Sequence, residues 1–94
     1  MATVLIIDDS PTELHLFQGM LEKAGFETLV ADSGEEGIRQ ATAARPDCIL
    51  MDVVMPGMNG FQATRKLTKD PVTANIPVIM ITTKDQETDK IWGM

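Results

Sequence analysis

The residue types able to do chemistry in this chain are three acids and a hydroxyl: the Asp8-Asp9 pair, Asp52 and Thr82, each standing where an unbroken apolar run stops. Runs of that kind, without polar alternation, suit central parallel strands covered by helices on both faces. In open parallel sheets ligands bind beyond the carboxyl ends of the strands, so a polar group that closes such a run sits where chemistry is done. Two like charges about 4 Å apart repel by about 4 kcal/mol at an effective dielectric near 20, so three converging acids must protonate or bind a cation. A hard, all-oxygen site with open positions suits Mg2+, which keeps waters and completes its shell with phosphate oxygens. Asp52 as nucleophilic carboxylate, Mg2+ beside it and the Thr82 hydroxyl together make the set that forms and stabilises an aspartyl-phosphate.

Simpler readings stand beside each of these. Asp8 and Asp9 near the positive N-terminus of a helix are worth a few tenths to about 1 kcal/mol without any metal. Asp52 alone reads equally as a solvated loop acid, and Thr82 and Thr83 as plain β-forming strand residues. Only the meeting of the strand ends separates the two sets. His15 lies within the first helix, away from every strand end, and reads as an exposed or packed helix residue rather than a phosphoacceptor. Met51, Met55, Met58 and Met80 read as gap fillers rather than metal ligands.

The elements that must position these groups follow in order. Thr3-Val4-Leu5-Ile6-Ile7 is the first strand, and Ser10-Pro11-Thr12-Glu13 supplies an N-cap, a proline at the first helical position and a capping-box glutamate. The first helix runs to about Ala24, with Leu14, Phe17, Leu21 and Ala24 on one stripe and Leu16 and Met20 on a second face. Gly25 ends it, and Phe26 to Ala31 is a partly alternating edge strand. Ser33-Gly34-Glu35-Glu36 repeats the capping box for a helix with a thin stripe of Ile38 and Ala41, which Arg45-Pro46-Asp47 breaks before the Asp52 strand. After the Met55-Pro56-Gly57-Met58 loop, Asn59 caps a third helix in which Phe61, Thr64 and Leu67 or Thr68 share a face. Ile76 to Ile81 is the fourth strand, with Pro77 near its start, and Asp85 caps a last short helix through Ile91-Trp92 to Gly93.

This order predicts an α/β fold, a flavodoxin-like doubly wound parallel sheet with strand order 2-1-3-4, in which strands one and three are neighbours and their acids converge. Ninety-four residues allow a single domain, and 44% hydrophobic with 23% charged residues describes a chain that folds rather than one that stays disordered. A net charge of -6 argues against nucleic acid and against an anionic membrane surface as direct partners. No run is long enough to span a membrane, and no secretion signal precedes the first strand, which points to the cytoplasm. The single Cys48, inside an apolar run, reads as a small buried hydrophobe rather than a reactive thiol.

Leu5-Ile6-Ile7-Asp8-Asp9-Ser10, Ile49-Leu50-Met51-Asp52 with Met55-Pro56-Gly57-Met58-Asn59-Gly60, and Pro77 through Thr82 together resemble the receiver domain of two-component response regulators over the whole chain. Phe61 to Arg65, Thr83 to Lys90 and Trp92-Gly93 resemble more narrowly the single-domain receivers of type IV pilus twitching motility. The resemblance implies that Asp52 is the phosphoacceptor, that Asp8 and Asp9 position Mg2+ with a backbone carbonyl from Val54, and that Thr82 is the switch hydroxyl. It also implies a chemotaxis-type histidine kinase as donor and a protein target downstream.

Receivers of this kind continue into a fifth strand bearing a Lys-Pro pair and a fifth helix, which the 94 residues lack, so the chain reads as a C-terminally truncated receiver. Lys84 belongs to the loop after strand four and does not take the place of that lysine. A phosphorylation-incompetent interaction module therefore stands as the alternative to a phosphoacceptor switch. A free-standing phosphohydrolase is a third reading, without a candidate general acid or base beyond the metal acids. With the fifth strand missing, an uncovered strand four and the second face of helix one predict self-association.

Overall fold

The computed structural model describes residues 1–81, so Thr82, Lys84 and the last helix expected from Asp85 lie outside the described residues. The elements are β1 (Thr3–Ile7), α1 (Pro11–Lys23), β2 (Glu27–Ala31), α2 (Gly34–Ala44), β3 (Cys48–Asp52), α3 (Gly60–Lys69) and β4 (Val78–Ile81). The strands are parallel, in the order β2-β1-β3-β4.

Alternate residues of each strand face opposite sides, and the register aligns them into rows. Leu29, Leu5, Ile49 and Val78 form one row, and Ala31, Ile7, Met51 and Met80 the next. Ala41 of α2 and Ala63 and Leu67 of α3 close over these rows. Each Leu or Ile fully buried there contributes about 1.5–3 kcal/mol relative to exposure. Val4 and Ile6 are also buried, facing the other side, and burial on both faces is why β1 reads as an unbroken apolar run. The chain crosses from β1 to β2 through α1 on one face, then back to β3 and β4 through α2 and α3 on the other, as crossovers of one hand require when the direction reverses.

Helix starts follow the sequence with one exchange of detail. Ser10 Oγ accepts from Glu13 N at 3.3 Å and Ser33 Oγ from Glu36 N at 3.1 Å, the first half of each expected box. The reciprocal box closes instead at α3, where Asn59 N donates to Gln62 Oε1 and Gln62 N to Asn59 Oδ1, both at 2.9 Å. The Glu36 carboxylate is taken by Arg39 and Gln40. Gly25 ends α1 at φ 99°, a left-handed position that favours glycine.

Two expectations are corrected. The buried face of α3 is Gly60, Ala63 and Leu67, at i, i+3 and i+7, which leaves Phe61 one step round the helix and 59% exposed. Cys48 is half-buried rather than in the core, because it opens β3 beside Val4 on the face away from α2 and α3. The methionines fill gaps as expected: Met51 and Met55 lie in the core, with Met58 and Met80 packed against it.

Candidate functional site

Asp52 is the last residue of β3, and Asp8 and Asp9 follow directly on β1. Because Ile7 and Met51 are register partners, the residues after them leave the sheet side by side. Asp8, Asp9 and Asp52 each present a carboxylate oxygen, and these oxygens lie within 4.8 Å of one another. Asp8 and Asp52 are buried and Asp9 is half-buried, so the cluster has a shielded floor and one wetter side.

Local structure fixes the acids before any ligand arrives. Asp8 Oδ1 accepts from Ser10 N at 2.9 Å while Asp8 N donates to Ala31 O at 3.1 Å, tying this acid to both the start of α1 and the end of β2. Ser10 thus serves two neighbours, orienting Asp8 with its backbone and capping α1 with its side chain. The chain beyond Asp52 is held by Val53 N donating to Ile81 O at 3.0 Å and by Gly60 N donating to Val53 O at 2.9 Å. Val54 is 48% exposed at the rim, and Met55 turns back into the core, so the loop is anchored one residue after Val54. Gly57, at φ 75°, then reverses the chain toward α3.

Sequence reasoning named the acids but missed two supports. A Cβ on Gly60 would come within 2.9 Å of Val53 Cα and closer still to the Asp52 carbonyl oxygen. A Cβ on Gly37 would strike the Ile7 side chain, two residues before Asp9. For Gly37 the available signal was a glycine inside a helix, which costs about 0.8–1.0 kcal/mol relative to alanine and so marks a close approach, whereas Gly60 stands at the first helical position and carries no such signal. His15 lies on α1 and is exposed, the first of the two placements, exposed or packed, that the sequence leaves open.

Three carboxylates, two of them buried, are hard oxygen donors matched to a small divalent cation, and they fit Mg2+ better than a soft metal. A parallel sheet whose order reverses between β1 and β3, with acids gathered at that reversal, defines a doubly wound α/β protein with an acidic site at its switch point.

The chain belongs to the response regulator receiver domain family, whose profile matches residues 4–94. It is 60% identical over 93 residues to protein PilH of Pseudomonas aeruginosa, covering 99% of this chain and 77% of that protein. Other matched regulators are longer, the chain spanning 20% of one and 40% of another. Among solved structures, the Vibrio cholerae chemotaxis protein CheY4 superposes with a TM-score of 0.82 at 31% identity, over 99% of this chain and 81% of that one. The receiver domain of a sensor histidine kinase from Pseudomonas aeruginosa PAO1, with a magnesium ion coordinated in its active-site cleft, superposes with a TM-score of 0.83 at 27% identity, over 96% of this chain and 74% of that one. Two-component signalling is therefore the general role of this fold and family.

Proposed function

We propose that the chain is a phosphoacceptor switch that receives a phosphoryl group from a histidine kinase of chemotaxis type on Asp52. The observation that carries this reading is the convergence of the three carboxylates within 4.8 Å at the ends of β1 and β3. In the transfer, an Asp52 oxygen bonds to phosphorus as the P–N bond of a phosphohistidine breaks, and the electron pair stays on the imidazole nitrogen, which takes up a proton. Asp8, Asp9, Asp52 and the Val54 carbonyl are assigned to Mg2+, which when bound neutralises charge on the phosphoryl oxygens.

The chain's own part is positioning. The Ser10 N–H aims Asp8, and the Val53–Ile81 and Val53–Gly60 bonds hold the backbone that carries Asp52 before a phosphodonor arrives. Thr82 is assigned as the switch hydroxyl for a phosphoryl oxygen. The adduct adds charge near -2, which biases the packing around the end of β4 and presents a new surface to a protein target. We assign this switch to pilus motility, a reading that the 60% identity to protein PilH supports, and take the cytoplasm as its compartment. No described helix is long and apolar enough to cross a membrane.

Incubation with acetyl phosphate and Mg2+, read by intact mass and peptide mapping, tests the assignment. One hydroxylamine-labile phosphoryl group on Asp52, lost in Asp52→Asn, is expected. A stable adduct on His15 or Ser10, or no adduct at all, would overturn it and favour an interaction module.

A further inference from the structure

We propose that the exposed face of α3 is a docking surface for an acidic segment of a protein partner. Gln62, Arg65, Lys66 and Lys69 fall at i, i+3, i+4 and i+7, and all four are exposed on the side opposite the buried Gly60, Ala63 and Leu67. With Gly57 and Met58 of the preceding loop they line a groove of about 490 Å3. Three of the chain's eight basic residues stand here, although the net charge is -6.

Among the described residues these cations have no ion-pair partner, whereas Arg39 is matched to Glu36. The nearest acid in sequence, Asp70, accepts from Val72 N at 2.9 Å and is committed to shaping the loop after the helix. α3 itself contains no acidic residue. Part of this positive charge complements the C-terminal end of the helix, a role that Lys66 and Lys69 in the last turn fill by themselves. It leaves unexplained why Arg65 joins them on the same face and why the loop is built against that face to form a concavity.

Local bonds and packing shape that concavity. The Asn59–Gln62 box fixes the start of α3, Gly57 at φ 75° turns the loop, and Met58 packs on the core beneath. Arg65 to Lys69 span about 6 Å of helix axis, a match for two or three carboxylates on one or two turns of a partner helix or a short strand. Nucleic acid fits poorly, because three cations neutralise few phosphates while the remaining surface of a chain with charge -6 repels the polyanion. An acidic protein segment meets the cations without extending over the acidic remainder.

The surface adjoins the Asp52 strand through the five residues from Val53 to Gly57, but its charges and shape are present without a phosphoryl group, so the unphosphorylated chain is the one to test. The 15N-labelled 94-residue chain is titrated with an octapeptide bearing three glutamates at i, i+3 and i+4, and separately with its glutamine counterpart. Amide shifts concentrated on residues 57–69, absent with the glutamine peptide, are expected. Raising ionic strength should weaken the binding as the screening length falls from about 30 Å at 0.01 M to about 8 Å at 0.15 M. Arg65→Gln with Lys66→Gln should raise the dissociation constant about tenfold, and because both side chains are exposed the amide spectrum elsewhere reports that the fold is kept.

Equal shifts with the glutamine peptide, or shifts centred elsewhere, would overturn the proposal. Inorganic phosphate or a short DNA duplex matching the acidic peptide on the same amides would reduce the groove to a general anion site and overturn it as well. Shifts at 57–69 that track the concentration of the chain alone would give the groove to a second copy instead of a partner.

Discussion

Gly60 lies so close to the carbonyl of Asp52 that a side chain at position 60 has no room, with Val53 Cα only 2.9 Å from where a Cβ would stand. The first turn of α3 therefore packs directly on the end of the Asp52 strand. Gly60→Ala should cost about 1–3 kcal/mol through forced backbone movement and should slow labelling of Asp52. Gly19→Ala is the matched control: the α1 position has nothing within 4 Å of an added Cβ, so it should gain about 0.5–1 kcal/mol from helix propensity. Urea melts of both variants check the pair, and equal changes in the two would show that the Gly60 contact relaxes freely.

The metal assignment has a direct test by calorimetry. Mg2+ should bind the wild-type chain and raise its melting temperature, and Asp9→Ala should abolish both effects because one of three clustered oxygens is lost. Asp9 is the best of the three to change, being half-buried where Asp8 and Asp52 are buried. Equal Mg2+ affinity in the two proteins would remove Asp9 from the site.

The Arg39 guanidinium, hydrogen-bonded to the Glu36 carboxylate, together with Gln40 holds that carboxyl below its ordinary value of 4.5. A carboxylate with a depressed folded pKa contributes stability above its unfolded pKa and loses it as pH falls through the folded one. Glu36→Gln should therefore lower the melting temperature slightly near neutral pH, and the difference should shrink as pH falls below the ordinary glutamate range and vanish below the depressed folded value. Both side chains reach solvent, so added salt should shrink the effect. A difference that persists at low pH would assign it to helix packing rather than to the ion pair.

Ile79 is 54% exposed on the face it shares with Ile6 and Leu50, and Leu16 and Met20 of α1 are 54% and 55% exposed. Apolar exposure on the edge strand of the described sheet predicts association of the 94-residue chain as concentration rises. Sedimentation velocity over a wide concentration range should show dimers or larger species, reduced by Ile79→Lys. A monomer at all concentrations would show that this face is self-sufficient.

The sequence by itself determined the strands, the helix starts and the acids. Apolar runs such as Thr3 to Ile7 and caps such as Ser10 and Ser33 act over a few residues, and their physics is complete within that span. The parallel order 2-1-3-4 also followed from the alternation of strands and helices, because crossovers of one hand leave few arrangements.

Only the tertiary structure decided what depends on distant segments meeting. Asp8 and Asp52 are 44 positions apart in the chain and meet only because the β1–β3 register places Ile7 beside Met51. Helical spacing puts Phe61 on a face with Thr64 and Leu67 or Thr68, yet the α3 face is chosen by how closely Gly60 must approach Asp52, and that approach turns Phe61 to solvent. Cys48 reads as core from its neighbours in sequence, but its exposure depends on which face of β3 a helix covers. Local patterns specify elements, whereas helix rotation and strand register are fixed by packing between elements remote in the chain.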